Sequence, residues 1–276
     1  MIEDILQYPF LQRAILASLL ASITCGIIGS LIIAKRMSSF SGGLAHAVFG
    51  GIGCAHYFSF SPIVGAFGFS VLCSFLMSLA YRFGERAVET LVSIIWSLGM
   101  AIGVIFIALT PRYAPDLNSY LFGSILLVSE DYIFFVLVLN IFVLAILAIL
   151  FKQLLSFCYD EEFSEISGVP VARLFLVVLL LTSCAVIMLI RVVGIILTIA
   201  LLTLPATIAK QWTKGLAGMM FLSSIIAAVV MLLGLYLSYV FAAGDNLNLP
   251  SGPLIIVLLS LAYVFSSLLV MLRRKM

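Results

Sequence analysis

Charge is scarce in this 276-residue chain. Fourteen Lys and Arg and twelve Asp and Glu make up only 9% of it, and histidine occurs twice. No GxxxxGK[ST] phosphate loop is present, so any ATP hydrolysis must come from another subunit. The five cysteines, Cys25, Cys54, Cys73, Cys158 and Cys184, form no CxxC pair. Their number is odd, which argues against a disulfide framework or a structural zinc site. No apolar stretch holds the paired Asp, or His with Glu, that an intramembrane protease requires, and no strand–turn–helix context supports a serine nucleophile. A repeat of 20–50 residues is also missing, as are two matching halves of inverted hydropathy.

Long apolar runs dominate instead: 64% of the residues are hydrophobic. A helix needs about 20 apolar residues to cross a hydrocarbon core of about 30 Å. Runs of that kind cover Ala14–Ala34, Gly43–Phe58, Pro62–Tyr81, Thr90–Thr110, Tyr132–Phe151, Leu174–Ile190, Val192–Ala209, Leu216–Ala242 and Pro253–Leu272. We therefore expect an all-α polytopic membrane protein with eight to nine transmembrane helices, forming one domain over residues 1–276. Ser119–Val128 is too short to cross and is expected to form a re-entrant or surface helix beside Arg112 and Asp116. Glu3 and Asp4 stand where a signal peptide would carry Lys or Arg, so the first span is expected to be retained.

The placement of the cations sets the orientation. One set of connections holds eleven: Lys35, Arg36, Arg82, Arg86, Lys152, Arg173, Lys210, Lys214, Arg273, Arg274 and Lys275. The opposite set holds three: Arg13, Arg112 and Arg191. The first set is expected to be cytoplasmic, with the amino terminus outside and the carboxyl terminus inside.

His46 is the most informative single residue. It lies ten residues after Arg36, which is about 15 Å of helix and close to mid-bilayer. Ionisable groups at that depth are rare and mark pathways, and imidazole suits zinc, manganese and iron. The competing reading is a histidine that bonds a neighbouring helix and only packs. Ser38–Gly43 is expected to break the helix ahead of it. His56 lies ten residues further on and points about 80° away, so both cannot hold one ion from a straight helix. Gly42, Gly43, Gly50, Gly51 and Gly53 surround His46, either for close helix packing or to line a cavity with backbone. Pro205 is expected to interrupt the seventh span.

Between Lys152 and Arg173 the sequence reads as one short cytoplasmic helix. Asp160 can cap its start, and Gly168 and Pro170 can end it. Phe163 and Ile166 share one face, with Glu161, Glu162 and Glu165 around the other. It is either a solvated loop helix or one that docks in a partner's groove.

The blocks KRMSSFSGGLAHAVFGGIG, DLNSYLFGSILLV, YDEEFSEISGVPVARL, VGIILTIALLTLPATIAKQ and NLPSGPLIIVL occur in this order. Together they resemble the permease subunits of zinc, manganese and iron ABC importers, over nearly the whole chain from about Gly29. The resemblance implies a homodimer bound to two cytoplasmic ATPase subunits and served by an extracytoplasmic metal-binding protein, in a bacterial-type cytoplasmic (inner) membrane. The divalent metal would be the substrate, passed by alternating access, with no permanently bound cofactor and no nucleic-acid partner. His46 is carried over as a transient ligand, with His56 a second candidate, and Gly42, Gly43, Gly50 and Pro205 as pathway or gate candidates. Family members carry an acidic residue or glycine at the position of Gly42. Glycine here removes one oxygen ligand of the aspartate-bearing branch. The helix Asp160–Ser167 corresponds to the element that contacts the ATPase. Two other classes remain open on the residues alone: an ATP-independent secondary carrier or channel, and a membrane scaffold.

Overall fold

Apolar runs with few breakers can satisfy their backbone polar groups in a bilayer only by forming helices, and helix is what they form. A computed structural model describes residues 8–110, 121–123, 125–244 and 250–275. Among these residues there is no strand. The α-helices are α1 (Pro9–Ala34), α2 (Ser38–Tyr57), α3 (Pro62–Ala80), α4 (Glu85–Leu109), α5 (Glu130–Tyr159), α6 (Glu161–Ile166), α7 (Val171–Trp212), α8 (Leu216–Gly244) and α9 (Ser251–Lys275). Tyr81–Phe83 and Ile125–Leu127 each form one 3₁₀ turn. Glu3, Asp4, Arg112 and Asp116 lie outside the described residues, as do Ser119, Tyr120 and Ser124 of the expected re-entrant helix.

Seven of the helices are long and apolar enough to cross a membrane: α1, α3, α4, α5, α7, α8 and α9. The expected eight to nine included two more runs. The first is α2, whose Ser, Gly and two His residues lower its mean hydropathy, although most of it is buried. The second is α7, Val171–Trp212, which holds two helices meeting at Gly194, where φ 80° and ψ 169° are not helical; the sequence likewise suggested two runs here.

Two further expectations are corrected. Ser38–Gly43 does not break a helix but opens α2. The chain turns just before it, at Arg36, whose φ of 58° is left-handed. Pro205 does not interrupt its span: α7 continues through it, and the break falls at Gly194.

The residues cluster into two compact units. One comprises Met1–Ile33, Asn118–Leu144 and Met188–Met276. In it α8 packs along α9, and the missing side chain of Gly234 admits Ile255. At the end of α7, Trp212 Nε1 donates to Ser266 Oγ at 2.8 Å, and Ser266 donates to Gln211 Oε1 at 2.7 Å. Buried Asn140 accepts from the Thr24 hydroxyl and donates to the Leu20 carbonyl at 3.1 Å. Tyr132 donates to the Met188 carbonyl at 3.1 Å. These polar side chains thus find partners on neighbouring helices, which lowers the cost of burying them.

The second unit comprises Ala34–Leu117 and Ala145–Ile187. Its centre is α2, packed along α3 and α4. Several of the contacts bring backbone against backbone. A Cβ added at Gly51 would run into the Gly65 carbonyl, and one added at Gly65 into the Gly51 carbonyl. A Cβ at Gly53 would lie 2.5 Å from the Gly103 oxygen, and one at Gly50 would lie 2.8 Å from the Gly99 oxygen. Small residues let helices approach this closely, and dispersion and lipid release then hold them.

Candidate functional site

Two places in the second unit gather the residues singled out in the sequence. The first is His46, on the third turn of α2. Its Nδ1 lies 2.9 Å from the Gly42 carbonyl, one turn earlier. A carbonyl can only accept, so Nδ1 carries the proton, and in the neutral ring Nε2 keeps the lone pair. The ring stacks on Trp96 of α4, with centroids 4.5 Å apart and planes 27° apart. Gly42 makes room for that indole: a Cβ there would lie 2.9 Å from Trp96 Cζ3. Gly43 likewise admits Val92, whose Cγ1 would be 2.8 Å from an added Cβ.

His56 sits in the last turn of the same unbroken helix. Ten residues of helix put it about 15 Å along the axis from His46, so α2 does not bring the two imidazoles together. Among the described residues, no group of three or more His, Cys, Asp and Glu comes together as a metal cage. A lone imidazole with a free nitrogen, held from one edge and one face, can still replace one water of a passing ion's shell. Gly50 stands against the backbone of α4. Pro205 is buried within α7, in the other unit.

The second place is α6. Asp160 is extended, with φ −148°, and its side chain accepts from the Phe163 amide at 2.9 Å. This is the N-cap that the sequence promised. At the other end the Gly168 amide donates to the Glu165 carbonyl at 3.0 Å, and the Val169 amide to the Ser164 carbonyl at 2.9 Å. That pair of bonds is a Schellman closure. It needs a left-handed residue, and Gly168 supplies it with φ 79°. Ser164 anchors the inner face: it is buried, and its hydroxyl lies 2.6 Å from Ser156 Oγ. Glu161 pairs with Lys35, whose ammonium also stands 3.9 Å from the centroid of the Phe157 ring. Glu161 is thus tied to the unit through Lys35. Phe163 and Ile166 point away, 63% and 86% exposed.

Sequence reasoning missed Trp96, Gly194 and the Lys35–Glu161 pair. The only sequence signal for Trp96 is its position near the middle of a span, since tryptophan favours the two interfaces.

A model of the ABC 3 transport family matches residues 7–270. An uncharacterised membrane protein of Synechocystis is 41% identical over 261 residues, covering 95% of this chain and 91% of its own. A manganese transport system membrane protein of Listeria innocua is 30% identical over 267 residues, covering 97% and 93%. Among solved structures, PsaBC from Streptococcus pneumoniae in complex with Fab superposes with a TM-score of 0.83 at 28% identity, over 96% of this chain and 93% of that one. With helices of spanning length throughout and a family match over almost all of its residues, the chain is a multi-pass membrane protein that belongs to the ABC 3 transport family.

Proposed function

We propose that this chain is the membrane-spanning subunit of an ATP-driven importer for a divalent transition metal ion. The whole of residues 1–276 acts as one permease domain. Two copies pair and bind two cytoplasmic ATPase subunits, and an extracytoplasmic binding protein delivers the ion. Counting α2 and the two halves of α7 as separate crossings gives nine spans, with the amino terminus outside and the carboxyl terminus in the cytoplasm of a bacterial-type inner membrane. His46 is the transient ligand through Nε2, and the two-fold axis brings in a second His46 from the other copy. His56 is a weaker candidate nearer the outer end, and Gly42, Gly43 and Gly50 shape the backbone around the path.

The observation that carries this reading is α6. A helix of six residues has no stability of its own, yet this one is capped at both ends, anchored by Ser164 and tied down through Glu161. The result is a rigid mount for two exposed apolar side chains on the cation-rich side of the chain. A carrier that runs on an ion gradient has no use for such a mount, whereas a permease driven by a separate ATPase needs one. The similarity to a manganese transport system membrane protein makes manganese the first ion to test, with zinc and iron beside it.

The test is uptake into proteoliposomes holding the permease, its ATPase and its binding protein, with each of the three metals. Uptake that needs ATP and the ATPase is expected. Equal uptake without the ATPase would identify a secondary carrier or channel, and copurification with partners without any metal flux would identify a scaffold.

A further inference from the structure

We propose that Trp96 is a positioning residue for the metal step: it fixes the plane of the His46 imidazole so that Nε2 is presented in one direction. The proposal rests on the reading of His46 as a transient ligand and deepens it.

A histidine side chain has two torsions, and two constraints are visible. The Gly42 carbonyl, 2.9 Å from Nδ1, holds one edge of the ring and sets the tautomer. The Trp96 ring, stacked at 4.5 Å and 27°, holds the plane. Gly42 serves both constraints. Its carbonyl accepts the proton, and its missing side chain is the space that the indole edge occupies, since an added Cβ would lie 2.9 Å from Cζ3 and 3.1 Å from Cη2. Trp96 is still 38% exposed, so burial alone does not account for an indole at this point of α4. Ligating imidazoles depend on such outer partners, whose loss typically lowers metal affinity about 10- to 100-fold. A site that must also release its ion benefits from one presented nitrogen held still, because orientation is settled before the ion arrives and no additional tight ligand is needed.

The experiment uses manganese uptake by the assembled transporter, and fluorescence of the purified full-length permease. Trp96→Leu should raise the KM for manganese about tenfold and leave kcat near wild type. Trp96→Phe, which keeps an aromatic face, should stay within about twofold on both. Gly42→Ala, which pushes the indole off the imidazole, should act like Trp96→Leu. The chain has two tryptophans, so Trp212→Phe leaves Trp96 as the only reporter. Paramagnetic manganese should quench its emission, and His46→Ala should remove the quench. If His46→Ala abolishes uptake but Trp96→Leu keeps the wild-type KM, the positioning role is overturned and the ligand role stands. If Trp96→Leu and Trp96→Phe lose kcat alike with KM unchanged, Trp96 is only packing and the proposal falls. If His46→Ala transports with a wild-type KM, the ligand reading itself is wrong and this proposal goes with it.

Discussion

Lys35, the first residue after α1, holds Glu161, the first residue of α6, across 126 positions of sequence, with its ammonium over the Phe157 ring. The Lys35 side chain is only 13% exposed. An ion pair in that setting, with a cation–π contact, is worth about 1–2 kcal/mol. The effect is local, because Asp160 and Gly168 still cap α6. Lys35→Ala should therefore leave the permease folded but let α6 open more often. Amide exchange at Phe163 and Ser164 should speed up about tenfold, with partial loss of ATP-driven uptake. The swap Lys35→Glu with Glu161→Lys should recover much of both. Unchanged exchange in Lys35→Ala would mean that the caps alone hold α6.

The exposed faces of Phe163 and Ile166 lead to a binding prediction. Interface energy concentrates in a few buried anchors, and these two are the large apolar groups that α6 presents. Replacing both by Asp should abolish copurification with the ATPase while the detergent-solubilised permease keeps its melting temperature. Complex formation at the wild-type level, together with normal uptake, would make α6 a solvated loop helix.

Packing of α2 can be tested by two glycines of α3 and α2 with opposite expectations. A Cβ at Gly51 has no room against the Gly65 carbonyl, whereas nothing lies within 4 Å of a Cβ at Gly68. Gly51→Ala should destabilise the permease by about 3 kcal/mol, the upper part of the overpacking range. Gly68→Ala should stabilise it by about 0.5–1 kcal/mol through helix propensity. Thermal melts in detergent separate the two, and equal melting temperatures would refute the close α2–α3 contact.

How much of this was legible in the sequence differs by element. The spans follow from length and hydropathy, which the bilayer enforces directly. The two ends of α6 were readable because Asp160 and Gly168 act on their own neighbours. Gly194 was not: it sits inside an unbroken apolar run, and its φ of 80° depends on Gly123, a residue distant in sequence whose backbone fills the space of a Cβ there. Ser38–Gly43 misled because Ser and Gly lower helix propensity, and close packing of α2 overrides that. Trp96 lies 50 positions from His46, and no local pattern announces a partner on another helix.

Orientation gives a further prediction. The 11-to-3 division of Lys and Arg puts the α7–α8 connection and the end of α9 in the cytoplasm. Reporter fusions or cysteine labelling at Lys214 and Arg274 should both report cytoplasm. An extracytoplasmic signal at both would invert the topology and move α6 to the side where no ATPase can reach it.

The histidines allow the sharpest comparison, because both lie on α2 and differ in what holds them. His46 has its tautomer set by Gly42 and its plane set by Trp96. His56 lies about 15 Å further along the helix, in the last turn. An ion in transit must be bound well enough to enter and weakly enough to leave, and one imidazole per copy with backbone carbonyls and water meets that condition. His46→Ala should cut metal-dependent uptake at least tenfold, while expression, pairing and basal ATPase activity persist. His56→Ala should cost no more than about threefold, consistent with a site the ion touches only on entry. The measurement is initial uptake of manganese in proteoliposomes at matched protein density. A His46→Ala protein that transports at the wild-type rate would make His46 a packing residue and return the path to the glycine backbone around it.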